Sequence, residues 1–208
     1  MTDKFPTQKY PNASAFVVDY ASAIATALGS LRPGEVERAV TAMKRAIQSD
    51  RLIFTCGNGG SAAIANHLTC DCSKGVATNT TLRPRVVSLS ATVELVTAIA
   101  NDMAYSEVFA YQLKNAARPG DVLITISSSG DSENIVRALD WAGTNGMTTI
   151  ALSGFSGGRS AQMADISLHV AAHNYGVVED VHQSLIHILA QYVRMSELPS
   201  ELVQTLKF

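Results

Sequence analysis

The stretch RLIFTCGNGGS at residues 51–61 decides the fold, together with its echo VLITISSSGDS at residues 122–132. In each, a short apolar run with β-branched residues stops abruptly in small residues and gives way to a helical pattern. The run reads as a buried strand, and the small residues as a tight turn into a helix N-terminus. Such a turn presents unpaired backbone N–H groups, and the helix dipole adds partial positive charge, so an anion is favoured there. Gly57, Gly59 and Gly60 permit close backbone approach, and Ser127, Ser128, Ser129 and Ser132 add hydroxyl donors. Two such turns at the ends of two core strands predict a phosphate-bearing ligand at the carboxyl edge of a parallel sheet.

Outward from these turns, strands and helices alternate at short intervals. Strands are expected at 52–55, 85–89, 122–126, 148–152 and 166–171. Helices are expected at about 61–72, 92–100, 106–117 and 132–144, with a last one running to about 195. Asn145-Gly146 stops the fourth of these; residues 73–84 and 154–158 read as loops. Ahead of the first strand, Asn12 can cap a helix carrying Phe16, Val17, Tyr20, Ile24, Leu28 and Leu31 at helical spacing. Pro33-Gly34 breaks it, and a second helix places Val36, Val40, Met43 and Ile47 on one face. The pattern predicts an α/β fold: a doubly wound, largely parallel five-stranded sheet flanked by helices, with an N-terminal helical hairpin. No linker or repeat divides it, so one domain is expected over 1–208. Within it, 1–11 is an arm, 12–49 the hairpin, 50–197 the α/β core and 198–208 a tail.

The 208 residues suffice to bury a full core, and 47% of them are hydrophobic against 16% charged. The Ala-rich hairpin and the high apolar share imply faces buried beyond one domain core, as in an oligomer. A formal net charge of −2 leaves no footprint for non-specific nucleic-acid binding. No apolar run approaches the roughly 20 residues that span a bilayer, so no membrane partner is expected. The first residues lack the apolar core of a signal peptide, and Cys56, Cys70 and Cys72 do not make a disulfide framework. The cytoplasm is the expected location.

Gly57 to Ala62 also fits G-x-G-x-x-A, the dinucleotide fingerprint. That reading needs an acid at the end of the next strand, where Ser88-Leu89-Ser90 stands instead. The turn also lacks the Lys-Ser/Thr of a nucleotide P-loop. A small phosphorylated molecule is therefore preferred, with no nucleotide cofactor. Helix spacing supplies further polar groups: His67 and Asp71 stand at i and i+4, and Glu179, Gln183 and His187 at i, i+4 and i+8. Singly, the first pair reads as a surface ion pair and His187 as a satisfied core histidine. Together they are five polar side chains on otherwise apolar helices. Cys70 and Cys72, two apart on a helix, do not face the same way and read as core; His169 and His173 read as structural.

CGNGGSAAIANHL, AIAND, GDVLITISSSGDSENIVRAL, IALSGFSGG and EDVHQSLIHIL together resemble the sugar isomerase (SIS) domain family, and within it the phosphoheptose isomerase branch, over residues 12 to about 195. The resemblance implies interconversion of sedoheptulose 7-phosphate and D-glycero-D-manno-heptose 7-phosphate through an enediol, in a homotetramer with active sites at subunit interfaces. It assigns the phosphate to Ser61, Ser127, Ser128, Ser129 and Ser132, with Gly59 and Gly60 lining the turn, and the sugar to Asn58 and Asp102. His67 matches a metal ligand and His187 the catalytic histidine. Asp71 stands where the family usually has a glutamate serving as ligand and base, and Glu179 where a glutamine is usual. Lys74 is the nearest cation to the position of a common arginine. Asp71 is thus the expected base and His187 the acid, with Glu179 touching substrate. His67, Asp71, Glu179 and His187 form an acceptable zinc set; a metal-free acid–base set is the alternative for the same four groups. Competing readings are a non-catalytic SIS protein binding a sugar phosphate or a replication initiator, or an isomerase of another sugar phosphate.

Overall fold

In a computed structural model that describes residues 4–208, the two quoted stretches become strands β1 (Leu52–Gly57) and β3 (Val122–Ser127). They pair in parallel, Ile53 opposite Val122 and Gly57 opposite Ile126. With β2 (Arg85–Ser88), β4 (Thr148–Ser153) and β5 (Ile166–His169), they form a wholly parallel sheet in the order β2-β1-β3-β4-β5. The chain leaves β1 toward β2 on one side and returns to β3 on the other. A crevice therefore opens beyond the carboxyl ends of β1 and β3, where an α/β sheet of this order binds its ligands.

Both faces of the sheet are covered, which is why β3 is apolar nearly throughout and fully buried. One core packs Ile53, Ile124, Ile126, Ile150 and Leu152 under α1 (Ala13–Gly29), α2 (Pro33–Gln48), α3 (Gly60–Cys70) and α8 (Tyr175–Met195). The other packs Phe54, Leu123 and Ala151 under α4 (Val93–Asp102), α5 (Ala110–Ala116) and α6 (Glu133–Thr144). Alternate residues of one strand serve opposite cores, as a period of two requires. Truncating Ile124 to alanine would cost about 2–5 kcal/mol, a buried large-to-small change.

The Asn12 side chain accepts from the Ala15 N–H at 2.9 Å and so caps α1. α1 lies along α8, where the Tyr20 hydroxyl donates to Asp180 at 2.7 Å. Burial and this carboxylate push the Tyr20 phenol up to about 12. Among the described residues, no single helix is long and apolar enough to cross a membrane.

Several boundaries depart from the sequence reading. The helix expected to end at 72 stops at Cys70, and the chain widens into a π-helical turn, Asp71–Val76, that runs from the end of the expected helix into the expected loop. The helix expected at 106–117 divides into a 3₁₀ turn, Tyr105–Glu107, and the shorter α5. Two short helices are not among those expected: α7 (Gly158–Met163), which follows the 154–158 loop in a segment given no element, and α9 (Ser200–Val203), in the segment read as tail. Both are too short to show an apolar period. The first three residues of the expected arm lie outside the described residues.

Candidate active site

The turns after β1 and β3 reach their helices differently, and both leave backbone donors free. Gly59, at φ 54°, precedes α3, and no side chain caps that helix. Ser132 precedes α6 as its N-cap residue, yet its hydroxyl makes no capping bond. The hydroxyl is thus not consumed in the role that usually explains a serine there. Gly57 cannot carry a side chain, because a Cβ would stand 2.5 Å from the Ser61 carbonyl oxygen. Gly130 is held at φ 68°, and a Cβ there would meet the Gly157 carbonyl.

Between these turns lies a cavity of 160 Å³ lined by Asn58, Ser61, Ser127, Ser128, Ser129 and Ser132, with Tyr175 and Glu179 across from them on α8. The Ser127 and Ser129 hydroxyls accept from the Gly130 and Asp131 N–H groups at 3.2 and 3.3 Å, shaping the turn. The buried Ser128 hydroxyl has no hydrogen-bond partner among the described residues, and a buried hydroxyl without one is costly. Asn58 is fixed by a reciprocal amide pair with Asn134, at 3.0 and 2.9 Å, and by the Tyr105 hydroxyl donating to its Oδ1 at 2.8 Å. Outside the cavity mouth, Arg159 binds both Asp131 and Glu133. It holds both carboxyls below their usual range: at Asp131 the Arg159 N–H leads, and at Glu133 the Arg159 side chain.

A second group sits two turns further along α3 and α8. Asp71 Oδ1 lies 3.2 Å from His67 Nε2, and Asp71 Oδ2 lies 2.9 Å from His187 Nδ1. The imidazoles meet edge to face, their centroids 4.9 Å apart. On its far side the His187 ring meets the Gln183 amide, Nε2 to Nε2 at 2.9 Å. A donating amide makes that ring nitrogen the acceptor, and Nδ1–H then points at Asp71. His187 is thus oriented from both sides. The group opens into a cavity of 430 Å³ that also meets Lys74, Arg194 and Lys207.

One donor atom each from His67, Asp71 and His187 falls within 4.8 Å of the others. Two imidazole nitrogens and a carboxylate suit zinc or a similar divalent cation, and three protein ligands leave a position open for chemistry. Glu179, expected as a fourth ligand, lies outside this group. Eight residues of α8 separate it from His187, roughly 12 Å of helix rise. Its carboxylate rests instead over the start of α3, 2.5 Å from where a Gly60 Cβ would stand. Asp102 is exposed at the end of α4, accepts from the Asn101 amide at 2.8 Å, and does not line the serine cavity. Cys56 and Cys72 are buried and unpaired; burial, and for Cys72 also the Asp71 charge, pushes their thiols up, Cys72 to about 12. Such thiols are poor thiolate ligands.

Three contributors escape a reading by spacing: Asn134 is brought to the site by the start of α6, Tyr105 by the 3₁₀ turn and Tyr175 by the start of α8. His182, on α8 but lining neither cavity, is 0% exposed; among the described residues its ring nitrogens make no well-formed hydrogen bond, and the Ser153 backbone only partly offsets its burial. Burial lowers its pKa to about 4. The largest cavity, 690 Å³, lies at the opposite edge of the sheet by Arg38, Arg45 and Arg51 and holds none of the expected site residues.

Comparison with known proteins agrees with this fold. The family model described as the SIS domain matches residues 18–154. The phosphoheptose isomerase of Halorhodospira halophila is 38% identical over 172 residues, covering 80% of this chain and 85% of the relative. The structure of phosphoheptose isomerase from Neisseria gonorrhoeae superposes with a TM-score of 0.78 at 30% identity, covering 88% of this chain and 97% of that one. That of a phosphoheptose isomerase from Francisella tularensis superposes with a TM-score of 0.79 at 28% identity, over 88% and 96%.

Proposed function

Because the chain belongs to the SIS domain family, in its phosphoheptose isomerase branch, we propose that it is an aldose–ketose isomerase acting as one SIS domain. It interconverts sedoheptulose 7-phosphate and D-glycero-D-manno-heptose 7-phosphate through an enediol, in the cytoplasm, for heptose precursors of surface polysaccharide. The observation that carries this reading is Asp71 held between His67 and His187, two helical turns from a serine-lined cavity on the same pair of helices.

The reaction moves a carbonyl between neighbouring carbons. A base must take the proton from the carbon beside the carbonyl, and a donor must serve the oxygen on which charge develops. Asp71 is the base. His187, oriented by Gln183, is the acid. The serine hydroxyls and free N–H groups hold the phosphate, so that binding energy far from the reacting carbons orients them. His67, Asp71 and His187 are the residues that would hold a divalent metal, zinc first, which when bound would polarise a substrate oxygen. Glu179 is assigned to the sugar.

The assembly is read as a homotetramer with active sites at subunit interfaces. On α1, Val17 and Val18 stand 62% and 68% exposed, an apolar face that a second copy would cover. Light scattering should give four times the mass of one chain; a stable monomer at micromolar concentration would remove the interfacial site. The function is tested by ¹³C NMR of purified protein with C5, C6 and C7 ketose phosphates. Conversion of the C7 sugar alone, or fastest, is the expected result, and inertness toward it refutes the assignment.

A further inference from the structure

Glu179 is the one carboxylate in the serine cavity, and it makes no hydrogen bond or ion pair within the described residues. Both oxygens of Asp71, by contrast, face imidazoles. α3 and α8 run side by side in register: Gly60 meets Glu179 at one level, and His67 meets His187 about two turns on. A ligand whose phosphate sits at the serine turn and whose carbonyl carbons reach toward Asp71 meets Glu179 at the phosphate end of its course, in the serine cavity itself. Six carbon–carbon bonds of about 1.5 Å each, with a terminal phosphate, extend far enough to run this course beside a helix rise of roughly 12 Å.

Sugar phosphates of this length exist in water mainly as five- or six-membered rings, which in a 2-ketose are closed by the hydroxyl of C5 or C6 onto the carbonyl carbon. Enediol chemistry needs the open form. We propose that Glu179 opens the ring, an inference that rests on the isomerase reading above. The carboxylate takes the proton of the anomeric hydroxyl; the carbonyl forms as the bond from that carbon to the ring oxygen breaks; the ring oxygen takes the proton back from the carboxyl group. The proton count is unchanged and no co-reactant is needed. A carboxylate suits the task because its two oxygens can face the two positions on one side of a ring. In a ketose with its carbonyl at C2, the ring oxygen is carried by C5 or C6, near the phosphate end of the chain, and ring closure brings the anomeric hydroxyl to that end, where Glu179 lines the serine cavity.

The test is single turnover with enzyme in excess over sedoheptulose 7-phosphate, comparing wild type with Glu179→Gln. Wild type should convert all of the sugar in one fast phase. The variant should show a small fast phase with the amplitude of the open-chain fraction, measured independently by ¹³C NMR. A second phase should follow, about 10²-fold or more slower, at the spontaneous ring-opening rate and independent of enzyme concentration. Glu179→Asp should restore dependence of the second phase on enzyme. One phase of full amplitude in Glu179→Gln, at any rate, overturns the proposal. So does loss of the fast phase, which would place Glu179 in the isomerisation itself. Wild type that ignores this sugar but converts another ring-forming phosphate refutes only the substrate reading, and the two phases are then read on that sugar.

Discussion

Replacing Gly60 with alanine should separate stability from activity in this protein. Gly60 opens α3 and is not among the glycines held at positive φ, so alanine is sterically acceptable to its own backbone. Alanine in place of glycine in a helix gains up to about 1 kcal/mol from propensity and from a less flexible unfolded chain. For a chain of this size that corresponds to a rise of about 2–4 °C in Tm. The new methyl group would stand 2.5 Å from Glu179 Oε2, 2.8 Å from its Cδ and 2.9 Å from Oε1. Those atoms end a flexible side chain, so the clash is relieved by moving the carboxylate about 1 Å to ordinary contact rather than by moving backbone. A displacement of that size in a group acting on substrate costs on the order of 10²-fold in rate. The expected result is therefore a Tm equal to or above wild type with kcat reduced about 10²-fold. Differential scanning calorimetry and steady-state kinetics on sedoheptulose 7-phosphate measure the two arms. Unchanged kcat would show that the carboxylate's position is irrelevant to turnover. A Tm lowered by several degrees would show that the space around Gly60 is closed by something more rigid than Glu179.

Further predictions address the other parts of the site. Ser129→Ala with Ser132→Ala should raise KM for the phosphosugar with kcat changed less, since the hydroxyls bind a group remote from the reacting carbons; an unchanged KM would remove the phosphate from this turn. Asp71→Asn and His187→Ala should each lower kcat by about 10²–10⁴-fold while phosphosugar binding persists by calorimetry; near-wild-type turnover in both would refute the roles given them. Elemental analysis of the same variants should show a divalent metal in wild type and its loss with His67→Ala; full activity and no metal after exhaustive chelation would favour metal-free chemistry. Burial lowers the His182 pKa to about 4 from a usual 6.5. The unfolded chain then binds the extra proton between those values, so stability is complete above about pH 6.5 and falls as pH drops toward 4, by on the order of 3 kcal/mol. His182→Leu should flatten the fall in Tm between pH 7 and pH 5, and an equal fall in both proteins would assign it to other groups.

The sheet was legible because both faces of a parallel sheet are buried, so β1, β3 and β4 appear as apolar runs ended by small residues. The serine and glycine turns were legible for the related reason that a helix N-terminus with free N–H groups has a local composition. What spacing could not supply was depth along a helix. Glu179, Gln183 and His187 share one stripe of α8, and a stripe suggests a common site. The structure gives them three levels: the serine cavity, the back of the His187 ring, and the meeting point with Asp71. His182 occupies the next stripe among Val178, Val181 and Leu185, and a histidine written between apolar neighbours carries no mark of whether it is satisfied. Asp102 is a different case, because its place relative to the cavity depends on how the segment from α4 to α5 turns, and a 3₁₀ turn there brings Tyr105 onto Asn58.

Asp71 and Glu179 are best understood together. Asp71 begins the π-helical turn, where the wider ring of backbone bonds displaces the chain relative to an α-helix. Its short side chain nevertheless meets His67 and His187 at once, so a longer carboxylate is not needed to join the two imidazoles. With both oxygens so placed, Asp71 is committed to the level of His67 and His187. A carboxylate at Glu179 adds negative charge to a cavity whose only cationic character comes from backbone N–H groups and helix dipoles, and this charge opposes an incoming phosphate. Its place over Gly60 limits that opposition, because the positive end of α3 lies beneath it while the serine turn and the start of α6 remain open to the ligand. On the function proposed above, the two helix N-termini divide the work: α6 would receive the phosphate, and α3 carries the charge of a side chain that would face the sugar.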